Sequence, residues 1–173
     1  MSAEDLRAKI REIPDFPKPG ILFYDITTLL KDPAAYKESI DLMMEPFKTE
    51  RPDIVVGMES RGFIFSAPMA YQLGTGLVPV RKLGKLPAET ITVEYALEYG
   101  SNTLEIHRDA IQPGQRVLIV DDLLATGGTV QGTIELVERL KGKVIGLGFL
   151  VELEFLHGRE RLGDHRVTSV IRY

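Results

Sequence analysis

Asp121 and Asp122 close the apolar run Val117-Leu118-Ile119-Val120, and after two leucines comes Ala125-Thr126-Gly127-Gly128-Thr129. A Gly/Thr turn of this kind, set in front of a helix, aims backbone N–H groups and hydroxyls at one point, which suits a phosphate. The two carboxylates repel phosphate. They suit what a phosphate carries: sugar hydroxyls or a metal ion. A sugar phosphate is the ligand this spacing describes. Ser60 and Arg61 form a second group of anion donors behind another apolar run, Ile54-Val55-Val56-Gly57-Met58. Arg81, Lys82 and Lys85 form a third, with no acid before Glu89. A substrate phosphorylated at both ends fits such a set.

Two competing motifs fail. An apolar run ending in Asp also occurs in P-loop ATPases, where the acid holds magnesium, but those chains need G-x-x-x-x-G-K-[ST] upstream, and it is missing. Gly146-Leu147-Gly148 imitates a dinucleotide fingerprint, yet Val151 stands where the third glycine belongs and a strand follows instead of a helix.

The elements that must position these residues are readable. Ser2 and Asp5 have capping-box spacing, and Leu6, Ile10 and Ile13 predict a helix running to Pro14. Asp15 to Gly20, with two prolines, reads as a turn or extended segment. Asp32 caps a second helix with Pro33 at its first position; Tyr36, Ile40, Met43 and Phe47 are its buried stripe. Residues 54–58 predict a strand, 59–62 a turn, 63–73 a helix and 77–80 a strand. Residues 91–99 alternate, with Ile91, Val93, Tyr95, Leu97 and Tyr99 on one face. Gly100-Ser101-Asn102 turns the chain and Leu104 and Ile106 resume the alternation, giving a β-ribbon. A central strand is expected at 116–120 and a helix at 129–140 with Ile134, Val137 and Leu140 inward. Further strands are expected at 144–151 and 167–171. Alternating strands and helices build a parallel sheet covered on both faces, an α/β fold. Ligands sit beyond the C-terminal ends of such strands, where the loops 59–62 and 121–129 lie.

Composition limits the alternatives. With 173 residues, one domain is the default, and a hydrophobic content of 44% is ample for its core. The net charge of −4, with no basic stripe, argues against nucleic acid as a partner. No apolar run is long enough to cross a membrane, and Met1-Ser2-Ala3-Glu4-Asp5 lacks the marks of a signal peptide. Cysteine is absent, which removes disulfides and thiolate chemistry. His107, His157 and His165 lack metal-ligand spacing. A soluble cytoplasmic protein is expected.

The segment Val120 to Thr129 resembles the phosphoribosyl pyrophosphate (PRPP) motif of type I phosphoribosyltransferases. Phe16 to Ile26, Glu59-Ser60-Arg61-Gly62-Phe63 and Leu97-Glu98-Tyr99-Gly100 resemble the adenine-specific branch of that family. The resemblance implies one domain over 1–173, a parallel sheet flanked by helices with a small hood at about 1–30. Residues 82–106, alternating but carrying Lys82, Gly84, Lys85 and Gly100, are expected to form a flexible β-ribbon lid. Ala125, Thr126, Gly127, Gly128 and Thr129 would hold the 5-phosphate, and Asp121 and Asp122 the ribose hydroxyls. Glu59, Ser60, Arg61, Arg81, Lys82 and Lys85 would serve pyrophosphate, with the Glu59–Ser60 peptide cis. Adenine would lie against Phe23, with Leu153 opposite and the backbone of Leu22 and Tyr24 reading its edge. Tyr24 stands where other members are expected to carry Arg, but the contact there is through backbone. Glu98 would be the general base, with Tyr99 beside it. Glu94 shares its face, so spacing alone does not choose between them. Magnesium would bind through substrate and water with no direct protein ligand, and the assembly would be a homodimer.

The activity implied is purine salvage: adenine and PRPP to AMP and pyrophosphate. Two other readings remain, a sister transferase using another purine and a PRPP-sensing regulator. The first is disfavoured by the segments at 21–25 and 97–100. The second would need a basic face or an added DNA-binding domain.

Overall fold

The computed structural model describes residues 1–96 and 100–173. Leu97, Glu98 and Tyr99 lie outside the described residues. Among those described, seven strands form the main sheet, and a separate two-stranded sheet lies near the N-terminus. The chain runs α1 (Ala3–Arg7), β1 (Arg11–Pro14), β2 (Leu22–Asp25), α2 (Thr27–Leu30), α3 (Pro33–Met44), β3 (Ile54–Met58), α4 (Gly62–Leu73) and β4 (Gly76–Lys82). It continues through β5 (Thr90–Ala96), β6 (Ser101–His107), β7 (Arg116–Leu124), α5 (Gly128–Arg139), β8 (Lys143–Glu152) and β9 (Val167–Arg172). The main sheet has the order β5-β6-β4-β3-β7-β8-β9. Strands β4, β3, β7, β8 and β9 are parallel. The ribbon β5–β6 joins antiparallel to β4 through Arg81↔Glu105 and Lys82↔Leu104.

The continuous apolar runs have the explanation expected of parallel strands: both faces are buried. Leu118 and Val120 point into a core shared with α1 to α4, while Val117 and Ile119 point into one shared with α5 and the ribbon. Val55 and Val56 divide in the same way, as do Leu150 and Phe149. Asp32 caps α3 as its sequence demands, accepting N–H bonds from Ala34 and Ala35 at 3.1 and 3.2 Å. Gly146 and Gly148 do not bind a dinucleotide. They seat the Phe47 ring, whose Cε1 would lie 2.3 Å from a Cβ on Gly146.

Several expectations are corrected. The first helix keeps its capping box, with Asp5 N–H donating to the Ser2 hydroxyl at 3.2 Å, but it ends at Arg7. Ile13 belongs instead to β1, opposite Phe23 on β2. The short helix α2 carries no periodic signal in four residues and was not anticipated. Ser101 and Asn102 are already strand, paired with Ala96 and Tyr95. β7 does not stop at its acids: Leu123 and Leu124 continue the ladder against Val151 and Glu152.

Candidate functional site

β3 and β7 are neighbours, so the loops that follow them meet beyond their C-terminal ends. Between them lies a cavity of about 310 Å³ lined by Glu59 to Arg61 and Asp121 to Val130. Its floor is the turn into α5, whose N-cap Gly127 is left-handed, with φ +87°. Such a turn, set before the N-terminal dipole of α5, has the chemistry suited to an anion. The Glu59–Ser60 peptide is cis, as the resemblance implied.

A second, mainly apolar cavity of about 110 Å³ opens beside the first. Ile21, Leu22, Phe23 and Tyr24 line one part, Val151 and Leu153 another. Arg61, Asp122 and Leu123 border both cavities. Phe23 is braced edge-on by Phe16, with ring centroids 5.1 Å apart, and the Arg61 guanidinium stands 5.8 Å from its ring centre. The Tyr24 ring stacks on Tyr173 at 3.8 Å. β2 pairs with β1 alone, so among the described residues its other edge has no strand partner.

The charges in the first cavity are coupled. Asp122 is buried, and its Oδ2 lies 3.0 Å from the Arg61 Nε. Part of Asp121 reaches solvent, but its carboxyl is tucked against Gly62, where an added Cβ would stand 2.7 Å from Oδ1. That oxygen accepts the Asp122 N–H at 2.8 Å. Burial, reinforced by the Asp122 charge, holds the Asp121 carboxyl well above its ordinary value. Two adjacent acids disfavour joint ionisation, and ribose hydroxyls would give them neutral donors.

Of the basic cluster, Arg81 is turned to Glu59, with Nε and Nη2 at 3.0 and 2.9 Å from Oε2. The Lys82 N–H donates to Glu59 Oε1 at 2.7 Å. Burial works to raise the Glu59 carboxyl, but these donors prevail and hold it below its ordinary value. Lys82 and Lys85 are exposed, and neither they nor Arg81 line the cavity. Glu94 accepts the Ser101 hydroxyl and lines a different, larger groove between the ribbon, α5 and residues 161–165. Tyr95 was singled out only for its place in the alternation. Its hydroxyl lies 3.5 Å from the Thr129 Oγ1, linking the ribbon to the phosphate turn. Glu98 and Tyr99 lie outside the described residues.

The sheet, the Gly/Thr turn before α5 and the paired acids define a class of protein. The family model for the phosphoribosyl transferase domain matches residues 25–171. The chain belongs to that family. Within it, the chain is similar over its full length to adenine phosphoribosyltransferases. That of Acetivibrio thermocellus is 60% identical over 98% of this chain and 99% of its own. The crystal structure of the Thermoanaerobacter pseudethanolicus protein superposes with a TM-score of 0.96 at 53% identity, covering 99% of this chain and all of that one. The Saccharomyces cerevisiae protein, crystallised with an imino-altritol bisphosphate and adenine, is 41% identical with a TM-score of 0.92 over 97% of each chain.

Proposed function

We infer that this chain is a purine-salvage transferase, converting adenine and PRPP to AMP and pyrophosphate. The observation that carries the reading is the pair of joined cavities: a polar one with a phosphate seat and two acids, and an apolar one with an aromatic wall, sharing Arg61, Asp122 and Leu123. The full-length relatives favour the same reaction.

In this reading residues 125–129 hold the 5-phosphate, Asp121 and Asp122 accept the ribose hydroxyls, and Ser60 and Arg61 receive pyrophosphate. Adenine lies against Phe23 with Leu153 on its other side. N9 of adenine bonds to the ribosyl C1 as the bond from C1 to the pyrophosphate oxygen breaks, and adenine gives up one imidazole proton. Glu98, with Tyr99 beside it, is assigned to receive that proton on the strength of the family resemblance. Arg81, Lys82 and Lys85 supply positive charge near the departing pyrophosphate, for which Arg81 would have to leave Glu59.

Magnesium fits the cavity as an ion carried by the substrate. Glu59, Asp121 and Asp122 are hard oxygen donors, but Glu59 is engaged by Arg81 and Asp122 by Arg61. Magnesium prefers to keep waters and bind substrate phosphates, and bound in that way it would neutralise charge on the leaving group. The resemblance also supports a homodimer. No described helix is long and apolar enough to cross a membrane, and we place the enzyme in the cytoplasm.

The ribose assignment is tested by the Asp121→Ala/Asp122→Ala double variant. Each charged hydrogen bond lost costs roughly 1.5–3 kcal/mol, so PRPP is expected to bind at least about tenfold more weakly by calorimetry. Circular dichroism establishes that the variant is folded before its affinity is read, since Asp122 is buried and paired with Arg61. Unchanged PRPP affinity in the folded double variant refutes the role.

Residues 82–106 are proposed to close over bound substrate and keep water from the ribosyl carbon. Val93, Leu104 and Ile106 are buried in the core, which confines closing to the parts beyond them. Limited proteolysis is expected to cut the free protein within 82–100 and to slow when PRPP is added. Cutting that ignores PRPP counts against a lid.

A further inference from the structure

A contact from the far end of the chain bears on the phosphate turn. The turn Gly158–Leu162 follows β8, and its first residue lies backbone to backbone on residues 125–127. A Cβ on Gly158 would stand 2.2 Å from the Ala125 carbonyl oxygen and 3.1 Å from the Gly127 nitrogen. A Cβ on Gly127 would stand 2.6 Å from the Gly158 carbonyl oxygen. Neither residue has room for a side chain, so the position of Gly158 sets how far the phosphate turn can drop.

The next residue anchors that position. Arg159 donates from Nε to Glu152 Oε1 at 2.9 Å and from Nη2 to Oε2 at 2.5 Å. Its Nη1 reaches the Val167 carbonyl at 3.0 Å, and Nη2 also reaches the Ser169 hydroxyl at 3.3 Å. Ser169 in turn donates to Glu152. Glu152 is buried at the end of β8, and Val167 and Ser169 lie on β9. A planar guanidinium held at this many points has one orientation. Neither Glu152 nor Arg159 lines the phosphate cavity.

We propose that the Glu152–Arg159 pair is a positioning device for PRPP: it clamps Gly158 under Ala125 and Gly127 and so fixes the height and aim of the phosphate-binding N–H groups. The inference rests on the reading that residues 125–129 hold the 5-phosphate. It predicts selectivity. Loosening the clamp should impair PRPP and leave the adenine cavity alone, since that cavity is lined by residues 21–24, Ile26, Val151 and Leu153, with Leu123 and the Arg61–Asp122 ion pair at its border.

Arg159→Met keeps the aliphatic stem and removes the fork. Misplacement of a binding element by about 1 Å can cost on the order of 10²-fold, so the KM for PRPP is expected to rise about 10- to 100-fold. The KM for adenine and kcat at saturating PRPP should change little. Arg159→Lys, with charge but no fork, should recover only part of the loss. Gly158→Ala should raise the PRPP KM with the ion pair intact, and it carries the test if Arg159→Met does not fold. A merely structural role would lower Tm and leave both KM values unchanged well below the transition, and that result overturns the proposal. Thr126→Ala/Thr129→Ala in the same assay separates the two levels. If it weakens PRPP while the Arg159 and Gly158 variants do not, the clamp is wrong and the phosphate seat stands. If none of them weakens PRPP, the seat itself is wrong and the clamp falls with it.

Discussion

Glu98→Gln is expected to lower kcat about 10²- to 10⁴-fold while PRPP affinity stays close to that of the unaltered enzyme, the range typical of a positioned proton transfer. Pyrophosphate departure leaves oxocarbenium character on the ribosyl carbon, and attack by N9 requires adenine to shed an imidazole proton. A carboxylate at N7 would take it once the ribbon closes. Glu98 stands two residues beyond the end of β5, in the Leu97-Glu98-Tyr99-Gly100 segment shared by resemblance with the adenine branch. Glu94 is the rival by sequence alternation, and its surroundings argue against it. It pairs across the ribbon with Thr103, accepts the Ser101 hydroxyl and lines the larger groove rather than the cavity between residues 59–61 and 121–130. Glu94→Gln should therefore change kcat little. A near-normal kcat for Glu98→Gln, with chemistry shown to be rate-limiting, removes Glu98 from the mechanism.

The parallel sheet was legible because its strands leave an unbroken apolar signature, as in Val117 to Val120, when both faces are covered. The turn before α5 was legible because Thr126 to Thr129 break that signature with residues useless to a core. What escaped depended on contacts between distant parts of the chain. Ile10 and Ile13 have helical spacing, but Ile13 is claimed by Phe23 across an antiparallel pair that no local pattern announces. The acids of β7 look like a strand end, yet the ladder to Val151 and Glu152 carries the strand two residues further. Arg81 looks free beside Lys82 and Lys85 because its partner, Glu59, is 22 residues away. Gly158 looks like an ordinary turn glycine. Its reason for being glycine is the Ala125 carbonyl, brought against it by the fold. Local chemistry thus identified the cavity, and tertiary pairing decided which side chains enter it.

In the function proposed above, base selection would rest on the edge of β2, which among the described residues pairs with no strand but β1, and on the apolar cavity beside it. Adenine offers an amino donor at position 6 and an acceptor at N1, and hypoxanthine reverses both. A fixed backbone C=O and N–H pair at Leu22 and Tyr24 that satisfies adenine leaves two buried groups unpaired with hypoxanthine. Sites built around such hydrogen bonds discriminate by about 10⁴- to 10⁵-fold. The Tyr24 ring is engaged with Tyr173, so the side chain at this position need not alter the choice. The decisive measurement compares kcat/KM for adenine, hypoxanthine and guanine with PRPP and magnesium, following AMP and pyrophosphate as products. AMP and pyrophosphate are expected in equal amounts from adenine, with a kcat/KM for hypoxanthine lower by about 10⁴-fold. Equal turnover of adenine and hypoxanthine would contradict that expectation.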